Sequence, residues 1–198
     1  SCWNHEPLFR LISCWKRLAL AIISFHAIIA AIMQNRYLNN LKVLDISQGV
    51  AGPFCAKLLG DLGADVVKIE PPGGDISRQY GPFPDGVADP EKSASFFFFN
   101  TSKRGIVLDL ESAAGKDALA RLVTKYDVVI AGESEEVLRQ RGLTYDTFRR
   151  WNPNIILTTI SGFGSFGPHS EYQSSHLVAG AMGGLSTYCG LPDREPLQ

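Results

Sequence analysis

Three short segments carry residue types that could hold an anion or a reactive acyl group. The first is Gln48-Gly-Val-Ala-Gly-Pro53, a turn between an apolar run and a helix. Gly49 and Gly52 let the backbone bend sharply and come close to a ligand, and a helix starting near Pro53 presents unpaired N–H groups. The second is Asn100-Thr-Ser-Lys-Arg104, where two adjacent cations sit beside small hydrogen-bonding side chains. That set suits a phosphate, or a solvated basic corner. The third, Ser161-Gly-Phe-Gly-Ser-Phe-Gly-Pro168, offers backbone N–H groups to an anion or a thioester oxygen, or is simply a loop. His169 and His176 follow it. A histidine there could be a general base, but neither belongs to an HxxxH or HExxH pattern, and a surface histidine is the plainer account. Asp45, Asp61, Asp65, Asp75, Asp109 and Asp127 stand at expected strand or helix ends, where carboxylates serve as caps.

The elements that must position these segments alternate. Val43–Ile46 suits a buried strand, Phe54, Leu58, Leu59 and Leu62 recur at helical spacing, Gly63 ends that helix, and Val66–Ile69 forms a second strand. Residues 71–92, rich in proline and glycine, are expected as a surface loop, and a loop this long is often functional. Phe96–Phe99 reads as a buried strand or a pocket wall. Gly105–Leu110 is a third strand, Ser112 caps a helix running to about Lys125, and Asp127–Ala131 is a fourth strand. Short helices over about 134–139 and 145–151 precede a fifth strand, Ile155–Ile160, and His176–Met182 is a last helix. The fold class is therefore α/β: a Rossmann-like parallel sheet with helices on both faces. Right-handed crossovers place every strand-to-helix connection on one edge. The first turn is not GxGxxG, so a nicotinamide dinucleotide site is weakly supported.

The chain has 198 residues, 19 basic and 20 acidic, which gives no reason to expect a nucleic-acid partner. Its four cysteines lie far apart with no CxxC pair, so a disulfide framework and a metal site are not expected, and a reducing, cytoplasmic setting is. Cys55 reads as a small core residue. Leu18–Met33 is an apolar run preceded by Lys16 and Arg17, short for a membrane span. The expectation is that Met33 is the natural start and residues 1–32 an upstream extension outside the fold, disordered or an apolar helix. An anchor or export signal is the alternative.

Taken in order, these segments resemble the class III CoA-transferases, the CaiB/BaiF family. The matching pieces are Val43-Leu-Asp45 with Ala51-Gly-Pro53, the run from Leu58 to Glu70, Gly74-Asp75, Asn100 with Lys103-Arg104, Leu108-Asp109-Leu110 and Asp127-Val-Val129. They continue with Gly142-Leu143, Asn152-Pro153, Ile160-Ser-Gly-Phe-Gly164, Gly167-Pro168 and Ala181-Met-Gly-Gly184. The resemblance implies a large domain to which residues 33–198 contribute the N-terminal part, a further small domain, and an interlocked homodimer. It implies transfer of coenzyme A between an acyl-CoA thioester and a small carboxylic acid by a nucleophilic aspartate, without a metal. By spacing, that aspartate falls about seven residues beyond Gln198, so this stretch is expected to be a fragment, inactive alone and poorly soluble. The CoA contacts implied are Ala51, Leu108 and Asp109. Family positions carrying arginine, asparagine and arginine are Pro71, Gly132 and Gln140 here, and Lys68, Lys103 and Arg104 are the candidate replacements. Two alternatives stay open. One is a 2-methylacyl-CoA racemase, whose histidine aligns with Ser175 beside His176. The other is a non-catalytic CoA-binding paralogue.

Overall fold

In a computed structural model that describes residues 37–184, five parallel strands form one sheet in the order β3-β2-β1-β4-β5. They are β1 (Lys42–Asp45), β2 (Asp65–Glu70), β3 (Lys103–Val107), β4 (Val128–Ala131) and β5 (Ile156–Thr159). The helices are α1 (Ala51–Asp61), α2 (Ala94–Asn100), α3 (Ala113–Val123), α4 (Glu135–Gln140), α5 (Tyr145–Trp151) and α6 (His176–Met182). The Rossmann-like α/β class is thus confirmed. The expected extension over residues 1–32 lies outside the described residues.

Side-chain alternation splits the core into two layers. Leu44, Ile46, Val67, Ile69, Val129 and Ala131 meet Leu119, Val123, Leu138 and Phe148 from α3, α4 and α5. Val43, Val66, Val128 and Ile130 meet Ala56 of α1 on the other face. Helix α1 lies close to the sheet because its inner positions are small. Gly52 and Ala56 are buried, and a Cβ on Gly60 would come 2.9 Å from the Ser102 carbonyl oxygen. The stripe that the sequence showed at helical spacing faces mostly outward: Phe54, Leu58 and Leu62 are exposed.

Three sequence expectations are corrected. Phe96–Phe99 is not a strand but the body of α2, started by Ser93, whose hydroxyl oxygen accepts the Phe96 N–H at 3.1 Å. Phe97 and Phe98 are exposed, and Phe98 stacks on Phe54. The third strand begins two residues earlier than its hydrophobic pattern suggested, because β2 pairs with it in full register from Val66↔Lys103 to Glu70↔Val107. The long connection after β2 is also less open than a surface loop. It contains three single turns, at Ile76–Gln79, Pro84–Gly86 and Pro90–Lys92, and buries Asp75, Ser77 and Ser93.

Candidate functional site

Strand order reverses between β1 and β4, because β1 continues to β2 on one side while β4 starts the run to β5 on the other. At such a switch point two adjacent connections diverge and leave a crevice at the carboxyl ends of the strands. A cavity of about 630 Å³ opens there. Its walls come from Val50 and Ala51 after β1, Gly132 and Ser134 after β4, and the Ile160–Phe163 stretch after β5. Ser175 and His176 at the start of α6 close the far side. At the first turn of α1 the Ala51 and Gly52 N–H groups precede the first intrahelical bond, which Phe54 N–H makes to the Val50 carbonyl. That leaves donors and a positive dipole end at the cavity wall.

Close packing fixes this rim. A Cβ on Gly52 would fall 2.2 Å from the Ser47 hydroxyl oxygen, and one on Gly132 would fall 2.9 Å from the Ser47 Cβ. No side chain fits at either position without moving the turn, which accounts for glycine at 132. Leu108 and Asp109 leave β3 on the same edge, two strand spacings from β1, about 10 Å. The Asp109 backbone is pressed against α3, where a Cβ on Gly115 would lie 1.8 Å from its carbonyl oxygen. Across the edge, Arg141 bridges Glu111 at 2.8 Å and Glu133 at 2.5 and 2.6 Å, tying the connection after β3 to the one after β4.

Beneath the rim lies a buried charge network. Period-two alternation puts Asp45, Lys68 and Glu70 on the same sheet face as Val43 and Val66, under α1 and α2. Gly105 stands opposite Lys68 on β3 and contributes no side chain, which leaves space there. Lys68, with 2% exposure, pairs with Asp75 at 2.6 Å and Asp45 at 3.9 Å and donates to the Ser47 carbonyl. Lys103 donates to Asp45 at 2.8 Å, to the Pro53 carbonyl at 2.7 Å and to Asn100 Oδ1 at 2.9 Å. Arg78 embraces Glu70 at 2.7 and 3.0 Å while lying 3.7 Å over the Phe96 ring. Three carboxylates face three cations, so the cluster is neutral, as burial demands. Burial pushes the Asp75 and Glu70 carboxyls upward, but Lys68 and Arg78 respectively outweigh it, and both end below the ordinary carboxylate range. Burial likewise draws Lys103 below its ordinary value, against the pull of Asp45.

The sequence candidates thus fall into two groups, one at the crevice edge and one, Lys68, Lys103 and Arg104, around a second cavity of about 200 Å³. Ala51 reaches the crevice, and Leu108 and Asp109 share its edge. Lys68 and Lys103 spend their N–H groups inside the protein. Arg104 sits at the amino-terminal end of the sheet, in a bidentate pair with Asp65 at 2.7 and 2.8 Å. Sequence reasoning read Asp75 as a cap, which it is for the turn at Ile76–Gln79, but missed the network and took Lys68 for a replacement CoA contact. The available signal was the alternation within Val66-Val-Lys-Ile-Glu70: a lysine in a strand covered on both faces must find a buried carboxylate. Among the described residues there is no group of side chains fit to hold a metal ion, and no helix long and apolar enough to cross a membrane.

Comparison with known proteins matches residues 38–198 to the family model of CoA-transferase family III. The chain belongs to that family. It is 35% identical over 164 residues to a succinate–glutarate CoA-transferase of Agrobacterium fabrum. It is 39% identical over 166 residues to a succinyl-CoA:mesaconate CoA-transferase of Haloarcula hispanica. These alignments cover 81% and 80% of the chain but 41% of each relative, so the chain spans about two fifths of their length. Among solved structures, a CaiB/BaiF family protein from Brucella suis superposes with a TM-score of 0.73 at 37% identity, covering 81% of this chain and 42% of that one. The resemblance seen in the sequence is therefore confirmed at the level of family and fold.

Proposed function

We propose that this chain is the coenzyme A-binding half of the large domain of a class III CoA-transferase. The observation that carries the reading is the switch-point crevice, whose wall at Val50, Ala51 and Gly132 is built from small or aliphatic residues without charge. Such a wall can follow an extended thioester-bearing nucleotide without selecting its acyl group. Ala51 offers an N–H at the crevice. Leu108 and Asp109 line the continuation of the same edge, about three strand spacings or 14 Å from β4. With Lys68 and Lys103 engaged internally and Arg141 held by Glu111 and Glu133, recognition on this reading falls mainly to backbone groups.

In the full-length protein an aspartate about seven residues beyond Gln198 acts as nucleophile. Its carboxylate oxygen attacks the thioester carbonyl and expels CoA thiolate, leaving a mixed anhydride. The thiolate then attacks the aspartyl carbon, releasing the donor acid and leaving an enzyme–CoA thioester. The acceptor carboxylate reverses the sequence. The complete protein works on this reading as a cytoplasmic homodimer. The test is intact-mass analysis of the full-length protein incubated with succinyl-CoA. A covalent adduct of one CoA less one water, discharged by a dicarboxylate acceptor, is expected. Acyl exchange without any adduct would refute the mechanism.

His176 on the crevice wall gives a second reading some support, a 2-methylacyl-CoA racemase. Ser175, where the resemblance places the racemase histidine, is the extended N-cap of α6, and His176 is the first residue of that helix. Deuterium uptake at carbon 2 of a 2-methylacyl-CoA, with no CoA adduct, would favour it.

A further inference from the structure

Asp75 lies 26 residues along the chain from Gly49, outside the crevice, yet it holds the turn that builds the crevice wall. Its Oδ1 accepts three bonds: from the Gly49 N–H at 3.0 Å, the Ser77 N–H at 2.8 Å and the Ser77 hydroxyl at 2.7 Å. Its Oδ2 pairs with Lys68 at 2.6 Å, and Lys68 donates to the carbonyl of Ser47. One buried ion pair thus grips both polar sides of the turn, the Ser47 carbonyl and the Gly49 N–H. Gly49 has φ +81, and Val50 and Ala51, which follow directly, line the cavity.

The other end of the grip is anchored as well. The Asp75 N–H donates to Glu70 Oε2 at 2.9 Å, and Glu70 is fixed by Arg78. The Ser93 hydroxyl contacts the Ser77 and Tyr80 carbonyls at 2.8 and 2.6 Å. Asp75 is 1% exposed and Ser77 is fully buried, so water cannot take over these bonds.

From this geometry we infer that Asp75 is a positioning residue for acyl-CoA binding. It acts through Gly49 to hold the Val50–Ala51 backbone in its binding orientation. The inference rests on the CoA-binding reading above. A carboxylate is needed because one oxygen must accept three donors while the other faces an ammonium. An asparagine would turn its NH₂ either toward those donors or toward Lys68.

The test uses the full-length protein and the variants Asp75→Asn and Ser77→Ala. Two quantities are read: steady-state kinetics with varied acyl-CoA, and hydrogen exchange at the Gly49 amide. Asp75→Asn is expected to raise the acyl-CoA KM about tenfold or more, with kcat per folded enzyme within about threefold. It should also speed exchange at Gly49 while leaving β5 amides unchanged. Ser77→Ala should move both quantities in the same direction by about two- to threefold. An unchanged KM, an unchanged Gly49 exchange rate, or a fall in kcat alone would overturn the inference. If Asp75→Asn does not fold, Ser77→Ala decides by the same criteria. Wild-type protein that binds no CoA would sink the CoA-binding reading instead, while the exchange data would still report whether Asp75 holds the turn.

Discussion

Replacing Lys103 with methionine separates the ligand contact expected from the sequence from the internal strut seen in the structure. The Lys103 side chain is 1% exposed, and its ammonium spends three bonds, on Asp45, Pro53 and Asn100. Methionine fills much of the same volume but strands the Asp45 carboxylate, which is fully buried. Removing one partner of a buried ion pair costs about 3–5 kcal/mol. Asp45 keeps the Ser47 N–H at 3.1 Å, the Ser47 hydroxyl and the more distant Lys68, so the lower half of that range is expected, about 3 kcal/mol. Arg104→Met provides the contrast. Arg104 and Asp65 have side chains 67% and 42% exposed, so breaking that pair should cost about 0–1 kcal/mol.

Urea unfolding followed by circular dichroism, with titration of CoA into each folded variant, gives both readouts. A strut predicts a large shift of the unfolding midpoint for Lys103→Met and a small one for Arg104→Met. In the double variant Lys103→Met/Asp45→Asn, part of the cost should return, because the stranded charge is gone. If Lys103→Met costs less than about 1 kcal/mol but weakens CoA binding tenfold, the ammonium serves the ligand and the strut assignment is refuted.

Other perturbations probe the rim and the surface. Glu70 and Asp75 have folded-state carboxyls held below their ordinary values of 4.5 and 3.8. Their contribution is complete above about pH 4.5 and is lost as pH falls below 3.8 through the lowered values, so acid titration of stability should show a loss in that window that Asp75→Asn flattens. Gly115→Ala would press a methyl group onto the Asp109 carbonyl and should destabilise the protein by about 1–3 kcal/mol, measured by the same urea assay. Gly49→Ala forces an L side chain to φ +81, a cost of about 1–2 kcal/mol, and should weaken CoA binding measured by calorimetry. Phe97 and Phe98 are exposed and Phe98 stacks on the exposed Phe54, so Phe97→Ser/Phe98→Ser should reduce concentration-dependent self-association in sedimentation.

The strands and the edge they share were legible because each β-to-α passage here is written in local code. The short apolar runs of β1, β4 and β5 are followed by Gly49, Gly132 and Gly162, and Ser112 and Ser175 cap the helices that the spacing predicts. Phe96–Phe99 misled because phenylalanine favours strands, whereas Ser93 supplies a helix cap and the register with β2 reserves the strand for Lys103 onward. The direction of α1 was hidden for a related reason. Phe54, Leu58 and Leu62 mark the outer face, while Leu59 joins small residues at positions 52, 56 and 60 on the inner face. The positioning role of Asp75 could not be read from its own neighbourhood, since Gly49, the turn residue it holds, lies 26 residues away.

The buried network explains why the chain keeps costly charges where hydrophobic residues would pack. Apolar replacements could fill the volume, but they could not bond the Ser47 carbonyl and the Gly49 N–H, both of which lie in a turn without regular backbone partners. Lys68 of β2 and Asp75 of the connection after β2 supply those partners, Asp45 of β1 holds the Ser47 N–H and pairs with Lys103 of β3, and Lys103 adds the Pro53 carbonyl of α1. Five chain segments are thereby tied together beside the crevice wall. The charges therefore contribute specificity of geometry more than net stability. A fully apolar replacement of the cluster should consequently yield a protein that can remain as resistant to urea yet binds CoA less tightly. Undiminished CoA affinity in such a variant would show that the turn holds its shape unaided.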